Sequence, residues 1–332
     1  MDKERFQSIV NRFAELRILV IGDIMLDEFI WGKVSRISPE APVPVVNVTA
    51  ESYYPGGAAN VARNLREFNS QVMVMGAAGC DPQGERLVQL LDSAGIDTSG
   101  VTRDSAFTTT VKTRIIARNQ QVVRVDRERK TNLSGAHMER AIAYLERAIA
   151  AVDAVIIADY GKGFLTQPLA DVIREKALAA HTILTVDPHP HTSLVWKDAT
   201  AIKPNRMEAF LAAGLPAAEP VEPVLADHAL LEAARRLMEL WRPRSLLITL
   251  GEQGMLLMED AAPPHHIPTR AQTVFDVSGA GDTAIGAFTL GLAAGATPVE
   301  AADLANRASG IAVGKLGTAT VSATELLASF AA

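Results

Sequence analysis

Three small residues stand directly before an acid in the stretch VFDVSGAGDTAIGAF. They are Gly279, Ala280 and Gly281, and the acid is Asp282. A helix beginning here, with Ser278 as its cap, would expose unpartnered backbone amides and a partial positive charge that attract phosphate. Asp282 would repel that phosphate, so it suits a base that removes a proton from an attacking hydroxyl group. The alternative is a glycine-rich turn with a surface aspartate.

A second group of residues has side chains suited to sugar hydroxyls. In YYPGGAANVARNL these residues are Gly56, Gly57, Asn60 and Asn64. A glycine pair permits close approach of the backbone to a small ligand, and asparagine both donates and accepts hydrogen bonds. Asp23 and Asp27 follow the first predicted strand and are further candidates. The alternatives are a helix-entry turn for the glycines and solvated loop charges for the aspartates.

Two segments further along the chain have features of a nucleotide site. In AIKPNRMEAF, Asn205 and Glu208 lie three residues apart on the first turn of a predicted helix. Such a pair can cap the helix, or its carboxylate can hold magnesium-bound water near a phosphate. TLGEQG, residues 249–254, is a glycine turn at the end of a strand. It predicts a backbone that a nucleotide can approach closely.

Basic residues are concentrated in the segment 111–130. They are Lys112, Arg114, Arg118, Arg124, Arg127, Arg129 and Lys130, against only Asp126 and Glu128. The segment therefore carries a net charge of +5 in a chain whose net charge is −6. A substrate with its own phosphate would explain this concentration. The alternative is a solvated hairpin face on which few of the charges contact a ligand.

Short apolar runs alternate with helical patterns along the chain. The predicted strands are 17–22, 71–79, 154–159, 182–187 and 245–251, and the predicted helices are 58–69, 83–94, 134–151, 167–180 and 228–240. This alternation predicts an α/β fold with a mainly parallel sheet covered on both faces. Ligands of such sheets bind at the carboxyl ends of strands. Many of the candidate residues follow predicted strands.

Two segments, 43–54 and 108–128, alternate as β-strands with no helix between their strands. Asn119 and Gln120 at the centre of the second predict a hairpin turn. These segments predict a small projecting sheet that serves as a lid or a dimer contact. An ordinary sheet edge is the alternative.

Composition limits the classes of protein that remain. Of the 332 residues, 48% are hydrophobic and 21% are charged, as in globular proteins. The net negative charge argues against a dedicated nucleic-acid binder. A single cysteine, Cys80, excludes an intrachain disulfide and fits a reducing cytoplasm, and no apolar run reaches the ~18 residues of a membrane span. We therefore expect a cytoplasmic protein without nucleic-acid or membrane partners.

The glycine pair, the Asn205–Glu208 pair and GAGD occur in the order found in ribokinase-like (PfkB) carbohydrate kinases, which the chain resembles over its whole length. Within that family it most resembles the D-glycero-β-D-manno-heptose 7-phosphate kinases of lipopolysaccharide biosynthesis. The segments that carry the finer match are 22–46, YYPGGAANVARNL, 118–128, ADYGKG and VDPH. The resemblance implies one ribokinase-like three-layer domain over residues 1–332, with a β-lid at about 43–54 and 108–128.

The resemblance also implies roles for individual residues. Asp282 would be the base that activates the C1 hydroxyl, and the amides of Gly279, Ala280 and Gly281 would hold the transferring phosphoryl group. The residues implied for ATP are Asn205, Glu208, Thr249, Gly251, Gly254 and Asn306, with Glu208 holding Mg²⁺ through water. The residues implied for the sugar phosphate are Asp27, Gly56, Gly57, Asn60, Arg118 and Lys162. Asp276 would hold a monovalent cation such as K⁺, and the lid would form a homodimer.

Two alternatives stay open on sequence grounds. One is a kinase of the same family that acts on fructose 6-phosphate or tagatose 6-phosphate. The other is a catalytically silent sugar or nucleotide sensor on the same fold, against which the presence of Asp282 argues. Many kinases of the heptose type are fused to a C-terminal nucleotidyltransferase. This chain ends soon after the GAGD motif, so we expect the stand-alone kinase form.

Overall fold

The computed structural model describes residues 1–118, 120–133, 135–192, 194–260, 262–271, 273–315 and 317–330. Its strands are β1 (Arg17–Gly22), β2 (Ile24–Ile37), β3 (Pro44–Gly57), β4 (Gln71–Gly79), β5 (Asp97–Asp104), β6 (Thr110–Ala117), β7 (Gln120–Arg127), β8 (Ala154–Ala158), β9 (Ile183–Asp187), β10 (Ala201–Ile202), β11 (Ser245–Thr249), β12 (Met255–Glu259) and β13 (Ala262–Ile267). Its α-helices are α1 (Lys3–Asn11), α2 (Ala58–Glu67), α3 (Pro82–Ser93), α4 (Gly135–Ala148), α5 (Gln167–Ala179), α6 (Arg206–Ala212), α7 (His228–Trp241), α8 (Ala280–Ala293), α9 (Pro298–Val313) and α10 (Ala323–Ala328). Short 3₁₀ turns occupy Arg12–Glu15, Ile149–Ala151, Val224–Ala226 and Gly251–Gln253.

The central sheet has the order β13-β12-β11-β10-β9-β8-β1-β4-β5 within the described residues. The strands from β11 through β1 to β5 are parallel, and β12 and β13 extend the β11 edge antiparallel. The chain places β4 on one side of β1 and β8 on the other, so the direction of winding changes at β1. A ligand crevice is expected outside the carboxyl ends of strands at this point.

The side chains of β1 alternate between two hydrophobic cores. Ile18 and Val20 pack into the core under α1, α2, α3, α8, α9 and α10. Leu19 and Ile21 pack into the core under α4, α5, α6 and α7. Because successive residues of a strand point to opposite faces, a continuous apolar run is what a sheet covered on both sides requires. The result is the predicted three-layer α/β/α arrangement.

A separate sheet in the described chain has the order β3-β2-β6-β7 and forms the β-lid. β2 pairs with β3 antiparallel and with β6 parallel, and β6 and β7 form an antiparallel hairpin. The sequence predicted β3 and the hairpin but not β2, which begins one residue after β1 ends. Of the predicted turn residues, Gln120 begins β7, and Asn119 lies outside the described residues.

The lid strands leave and rejoin the central body at adjacent points. The backbone amide of Ala58 donates a hydrogen bond to the Asp23 carbonyl oxygen at 3.0 Å, which joins the start of β2 to the end of β3. Gly57 has a φ of +57°, and a Cβ atom there would lie 2.5 Å from that same oxygen. Glycine is therefore required where the returning lid strand enters α2.

In the part of the chain that the structure describes, every helix is too short or too polar to cross a membrane.

Candidate active site

Asp282 lies in the first turn of α8, at the carboxyl edge of the central sheet. Its Oδ2 atom accepts a hydrogen bond from Asn60 Nδ2 at 2.6 Å, and its Oδ1 atom accepts one from the Tyr160 hydroxyl at 2.5 Å. Asn60 comes from the first turn of α2 and is buried. The carboxylate is thus held by side chains from two other elements. This arrangement fixes its direction without neutralising it by an ion pair.

Buried polar contacts fix α8 itself. The Thr283 hydroxyl donates to Asn64 Oδ1 at 3.0 Å, and the hydroxyls of Thr289 and Thr185 are 2.7 Å apart. Asn64 also donates to the Asn60 carbonyl oxygen at 2.9 Å. Asn64 therefore joins α2 to α8, and its predicted suitability for sugar hydroxyls is replaced by a packing role. Asn60 Oδ1, by contrast, is buried and has no donor among the described residues.

Tyr160 lies on the loop that follows β8, and Asp23 holds this loop in place. The Asp23 carboxylate accepts hydrogen bonds from the backbone amides of Tyr160, Lys162 and Phe164 at 3.0 to 3.1 Å. Asp23 is only 3% exposed. The sequence suggested Asp23 as a ligand for sugar hydroxyls, but its oxygens are occupied by the chain's own amides. Its role is to position the loop that carries Tyr160.

The residues before Asp282 leave backbone amides unoccupied. α8 begins at Ala280, and its N-cap is Gly279, with a φ of +80° and no side-chain cap. The predicted Ser278 cap is wrong because the left-handed Gly279 occupies that position, while the Ser278 amide donates to Asp276. Ala280 donates to the Val277 carbonyl oxygen at 3.2 Å. Within the described chain the amides of Gly279 and Gly281 have no acceptor, so both are available to an anion.

A buried cation faces the same amides. Lys203 follows β10, is 3% exposed and forms an ion pair with Asp187 at the end of β9, with Nζ and Oδ1 3.0 Å apart. A Cβ atom at Gly281 would lie 3.6 Å from Lys203 Nζ. The missing side chain of Gly281 therefore opens a space between the helix amides and an ammonium group. Both surfaces of that space suit negative charge.

The environment of Asp282 changes its acidity. Burial raises the pKa of Asp282 to about 6, and the negative charge of Asp187 adds to the rise. The hydrogen bonds from Asn60 and Tyr160 and the charge of Lys203 oppose it. Burial, together with the charge of Asp282, raises the pKa of Tyr160 well above its usual value, so its hydroxyl remains a donor. A carboxylate with a pKa just below neutrality is suited to general base chemistry.

Asn205 and Glu208 form a reciprocal cap on α6. Asn205 Oδ1 accepts from the Glu208 amide at 2.9 Å, and Glu208 Oε2 accepts from the Asn205 amide at 2.7 Å. The capping alternative from the sequence is therefore present. Glu208 Oε1 has no partner in the described chain, and Glu208 is close enough to Asp187 to raise its pKa. Carboxylate oxygens beside a phosphate site are the donors Mg²⁺ prefers, so these residues fit the ion.

A cleft of about 490 Å³ lies between the carboxyl end of β11 and the first turn of α8. The residues predicted for ATP that line it are Thr249, Gly251, Gly254 and Asn306, together with Ala280 and Gly281. One wall of the cleft is apolar and includes Val274, Val277 and Val313. Asn306 Nδ2 donates to the Pro268 carbonyl oxygen at 2.6 Å and so supports the wall of the cleft. An apolar cleft that ends at unoccupied amides suits a base with attached phosphates.

Asp27 lies on the lid strand β2, opposite Tyr54 on β3, two residues before Gly56. It is 5% exposed, and its Oδ1 atom forms an ion pair with Arg114 of β6. A Cβ atom at Gly56 would lie 2.5 Å from Asp27 Oδ2. The base of the lid is packed so closely that side chains at positions 56 and 57 would not fit. The two glycines are therefore required by this packing, apart from any approach of a ligand. Asp27 is close enough to the body for its charge to contribute to the raised pKa of Tyr160.

The remaining predicted residues differ in position. The Lys162 ammonium binds Glu128 Oε2 at 2.7 Å, just beyond β7. Arg118 is exposed at the tip of the β6–β7 hairpin, six residues beyond Lys112, a rise of about 20 Å along the strand. The structure therefore does not bring Arg118 to Asp282. Asp276 accepts from the amides of Ser278 and Gly317, at 2.9 and 3.1 Å, and joins those two loops.

The sequence reasoning missed Tyr160, Lys203 and Asp187. All three lie in segments that it had noted: ADYGKG, AIKPNRMEAF and VDPH. Each residue lies at, or within two residues of, the carboxyl end of its strand. That shared position is the signal that could have identified them.

Comparison with known proteins gives a consistent result. The family model described as pfkB family carbohydrate kinase matches residues 15–325. The bifunctional protein HldE of Desulfatibacillum aliphaticivorans is 43% identical over 330 residues, covering 99% of this chain and 66% of that protein. HldE of Pelobacter propionicus is 41% identical over 327 residues, covering 98% of this chain and 66% of that protein. The chain thus spans just under two thirds of the length of these relatives.

Solved structures share the fold at low sequence identity. Phosphofructokinase-2 from Escherichia coli, in complex with substrates and products, has a TM-score of 0.75 at 19% identity, with 95% of this chain and 99% of that chain covered. Ribokinase from Arabidopsis thaliana, complexed with ribose and ATP, has a TM-score of 0.71 at 15% identity, with 95% and 98% covered. The three-layer body and the small separate sheet therefore correspond to a ribokinase-like fold.

Proposed function

Because the chain belongs to the pfkB family of carbohydrate kinases, we propose that it transfers the γ-phosphoryl group of ATP to the C1 hydroxyl of D-glycero-β-D-manno-heptose 7-phosphate, giving the 1,7-bisphosphate. Members of the family are phosphotransferases with an alcohol group as acceptor. The proposed pathway is the synthesis of ADP-heptose for lipopolysaccharide. The heptose assignment draws on the resemblance of residues 22–46 and 118–128 and on identity of about 40% to proteins named HldE.

The observation that carries the proposal is the position of Asp282. It lies next to unoccupied helix amides and is held by the side chains of Asn60 and Tyr160. A base and an anion site at one point suit the activation of a hydroxyl for attack on phosphorus. A sensor would have no need for a carboxylate beside the phosphate.

The proposed reaction is an in-line displacement. Asp282 takes the proton of the C1 hydroxyl as its oxygen bonds to the γ-phosphorus, and the bond from that phosphorus to the β,γ-bridging oxygen breaks to release ADP. The amides of Gly279 and Gly281 and the Lys203 ammonium hold the migrating group. Asp27, the Gly56–Gly57 turn and Asn60 orient the sugar, and Lys162 lies toward its phosphate. Closure of the lid excludes water as a competing acceptor.

Mg²⁺ would be held by Glu208, through water, with Asp187 nearby. When bound, the ion neutralises charge on the ATP phosphates. The proposed K⁺ site at Asp276 rests on the resemblance alone, since the described contacts of Asp276 are to backbone amides. The proposed homodimer forms through the lid, which exposes Ile37, Val48, Val123 and Val125. Sedimentation equilibrium that finds only monomer would contradict the dimer.

The function is tested by ADP release from ATP with Mg²⁺ and a panel of phosphosugars. We expect kcat/KM for the heptose 7-phosphate to exceed that for fructose 6-phosphate and tagatose 6-phosphate by tenfold or more. Phosphorus NMR of the product should show a phosphate at C1 as well as at C7. Equal turnover of a hexose phosphate would remove the heptose assignment, and no turnover of any sugar would favour a sensor.

The pKa of Asp282 gives a pH dependence. The base acts in its deprotonated form, so kcat should rise with pH through about 6 and level off above neutrality. Burial also raises the pKa values of Asp187 and Asp159 to about 6, so the rise alone does not identify Asp282. The identification requires a variant that changes only the surroundings of Asp282.

Tyr160→Phe is that variant, because the Tyr160 hydroxyl donates to the charged form of Asp282. Its removal should shift the acidic limb of the kcat profile upward by roughly one pH unit and lower kcat about fivefold at pH 6. Tyr144→Phe is the matched control, since among the described residues that hydroxyl has a hydrogen bond to Ser99 alone, at 3.4 Å. A limb that stays in place in Tyr160→Phe would assign the rise to another group.

A further inference from the structure

One face of the β-lid carries Lys112, Arg114 and Arg124, and both arginines have a carboxylate partner. Arg114 binds Asp27, Arg124 Nε binds Asp126 Oδ1 at 2.9 Å, and Lys162, which reaches this face from the body, binds Glu128. The exception is Lys112 of β6. In the part of the chain that the structure describes, no carboxylate lies within ion-pair distance of its ammonium group, and the side chain is half-buried.

The register of the lid strands places Lys112 beside the proposed sugar site. Lys112 pairs with Asp27 across β2–β6 and with Asp126 across β6–β7, so the three side chains share one face of the sheet. Glu128, two residues beyond Asp126, continues that face and brings the Lys162 ammonium to it. The Lys162 charge is close enough to act on Lys112, so two ammonium groups lie near Asp27, the residue proposed to bind sugar hydroxyls.

The lowered pKa of Lys112 shows that its charged form is disfavoured at this position. Burial lowers the pKa of Lys112, and the positive charge of Lys162 lowers it further. Asp126 and Asp27 oppose the shift but are already bound to arginines. An unpaired, partly buried cation destabilises the free protein. A bound anion with several oxygen acceptors would remove that cost.

We propose that Lys112, with Lys162 beside it, forms the subsite for the phosphate that the sugar already carries, so that Lys112 makes the enzyme specific for phosphorylated sugars. This inference rests on the proposed function and deepens it. It also replaces Arg118, which lies at the hairpin tip, as the basic residue of the lid that recognises phosphate. Sugar hydroxyls then lie between this subsite and Asp282, and the reacting hydroxyl is at the end of the sugar remote from its phosphate.

The first test compares Lys112→Met with the wild type in the ADP-release assay. The probes are D-glycero-β-D-manno-heptose 7-phosphate and the same heptose without phosphate. We expect KM for the phosphorylated sugar to rise tenfold or more, while KM for ATP and for the plain heptose change less than twofold. Lys112→Arg should restore most of the affinity. Lys33→Met, an exposed lysine of β2, is the matched control and should change no KM by more than twofold.

The second test needs no turnover. After reductive ¹³C-methylation of the lysines, the NMR signal absent from Lys112→Met identifies Lys112. Inorganic phosphate should raise the pKa of that signal in the wild type. If no sugar is turned over but this rise occurs, the proposed function fails and the subsite stands. An unchanged pKa with inorganic phosphate, or equal KM changes for both heptoses, would overturn the subsite.

Discussion

Asp282→Asn is expected to lower kcat by about 10³-fold or more while the affinities for ATP and sugar phosphate change little. The substitution removes the carboxylate that lies beside the amides of Gly279 and Gly281 and is placed to accept the proton of a hydroxyl. An asparagine side chain keeps one oxygen, so it can still accept from either Asn60 or Tyr160. When it accepts from Asn60, its amide group can donate to the Tyr160 hydroxyl oxygen, so both contacts are kept with the second one reversed in direction. Single-turnover kinetics and isothermal titration calorimetry measure the two quantities separately.

The stability of this variant should not fall. Burial already disfavours the charged form of Asp282, as its raised pKa shows, so a neutral side chain of equal size removes that cost. Asp171→Asn, on the exposed face of α5, is the matched control and should retain wild-type kcat. A kcat for Asp282→Asn within tenfold of the wild type would exclude Asp282 as the base. A large drop in affinity for both substrates would indicate a disrupted site instead.

Gly281→Ala should lower kcat/KM roughly a hundredfold and at the same time stabilise the protein. The new methyl group would enter the space between the helix amides and Lys203, where the phosphoryl group is proposed to lie. Loss of one such stabilising contact costs about 10²- to 10³-fold in other enzymes. Within the described chain the methyl group meets Lys203 Nζ alone, at 3.6 Å, which is an ordinary contact. Alanine is also a better helix residue than glycine, by up to about 1 kcal/mol.

The opposite signs of these two effects make the test specific. Gly286→Ala is the control in the same helix, since a methyl group there would meet Leu65 Cδ2 at 3.6 Å, away from the amides. It should raise the Tm without loss of activity. Thermal unfolding and ADP release measure both variants. Wild-type activity in Gly281→Ala would show that the phosphoryl group does not occupy this space.

The strands of the body were predictable because burial on both faces demands unbroken apolar runs. RILVIG and AVIIA are such runs, and they became β1 and β8 at the predicted positions. β2 was not predicted because only Asp23 separates it from β1, so no turn residue marks its start. β13 was missed because its sequence, APPHHI, contains two prolines, which only an edge strand tolerates. Sheet edges and lids depend on pairing partners that a local pattern does not reveal.

The residues of the candidate site also fall into those that the local sequence predicts and those that depend on the fold. Asp282 and its glycines could be predicted because a helix start is a local feature with its own electrostatics. The bond from Tyr160 to Asp282 spans 122 residues, and the ion pair of Lys203 with Asp187 depends on which strands are neighbours. The prediction that Ser278 caps the helix was wrong because Gly279 has a left-handed backbone conformation and is itself the N-cap. The sequence alone does not reveal that conformation. The local sequence pattern was therefore enough to predict Asp282 as the base. The residues around it could be identified only once the order of the strands was known.

The hydrogen bond from the Ala58 amide to the Asp23 carbonyl oxygen brings the two ends of the β2–β3 excursion together at the body. The ends of this excursion are adjacent, so its length and content can vary with little effect on the entropy of closing the loop. Asn60, Tyr160 and Asp282 lie outside it, whereas Asp27 lies within it. In evolutionary terms, selectivity and chemistry are carried by separable modules. A chimera that exchanges both lid segments, 24–57 and 110–127, is expected to change the substrate preference, because Asp27 and Lys112 are exchanged while Asn60, Tyr160 and Asp282 stay in place.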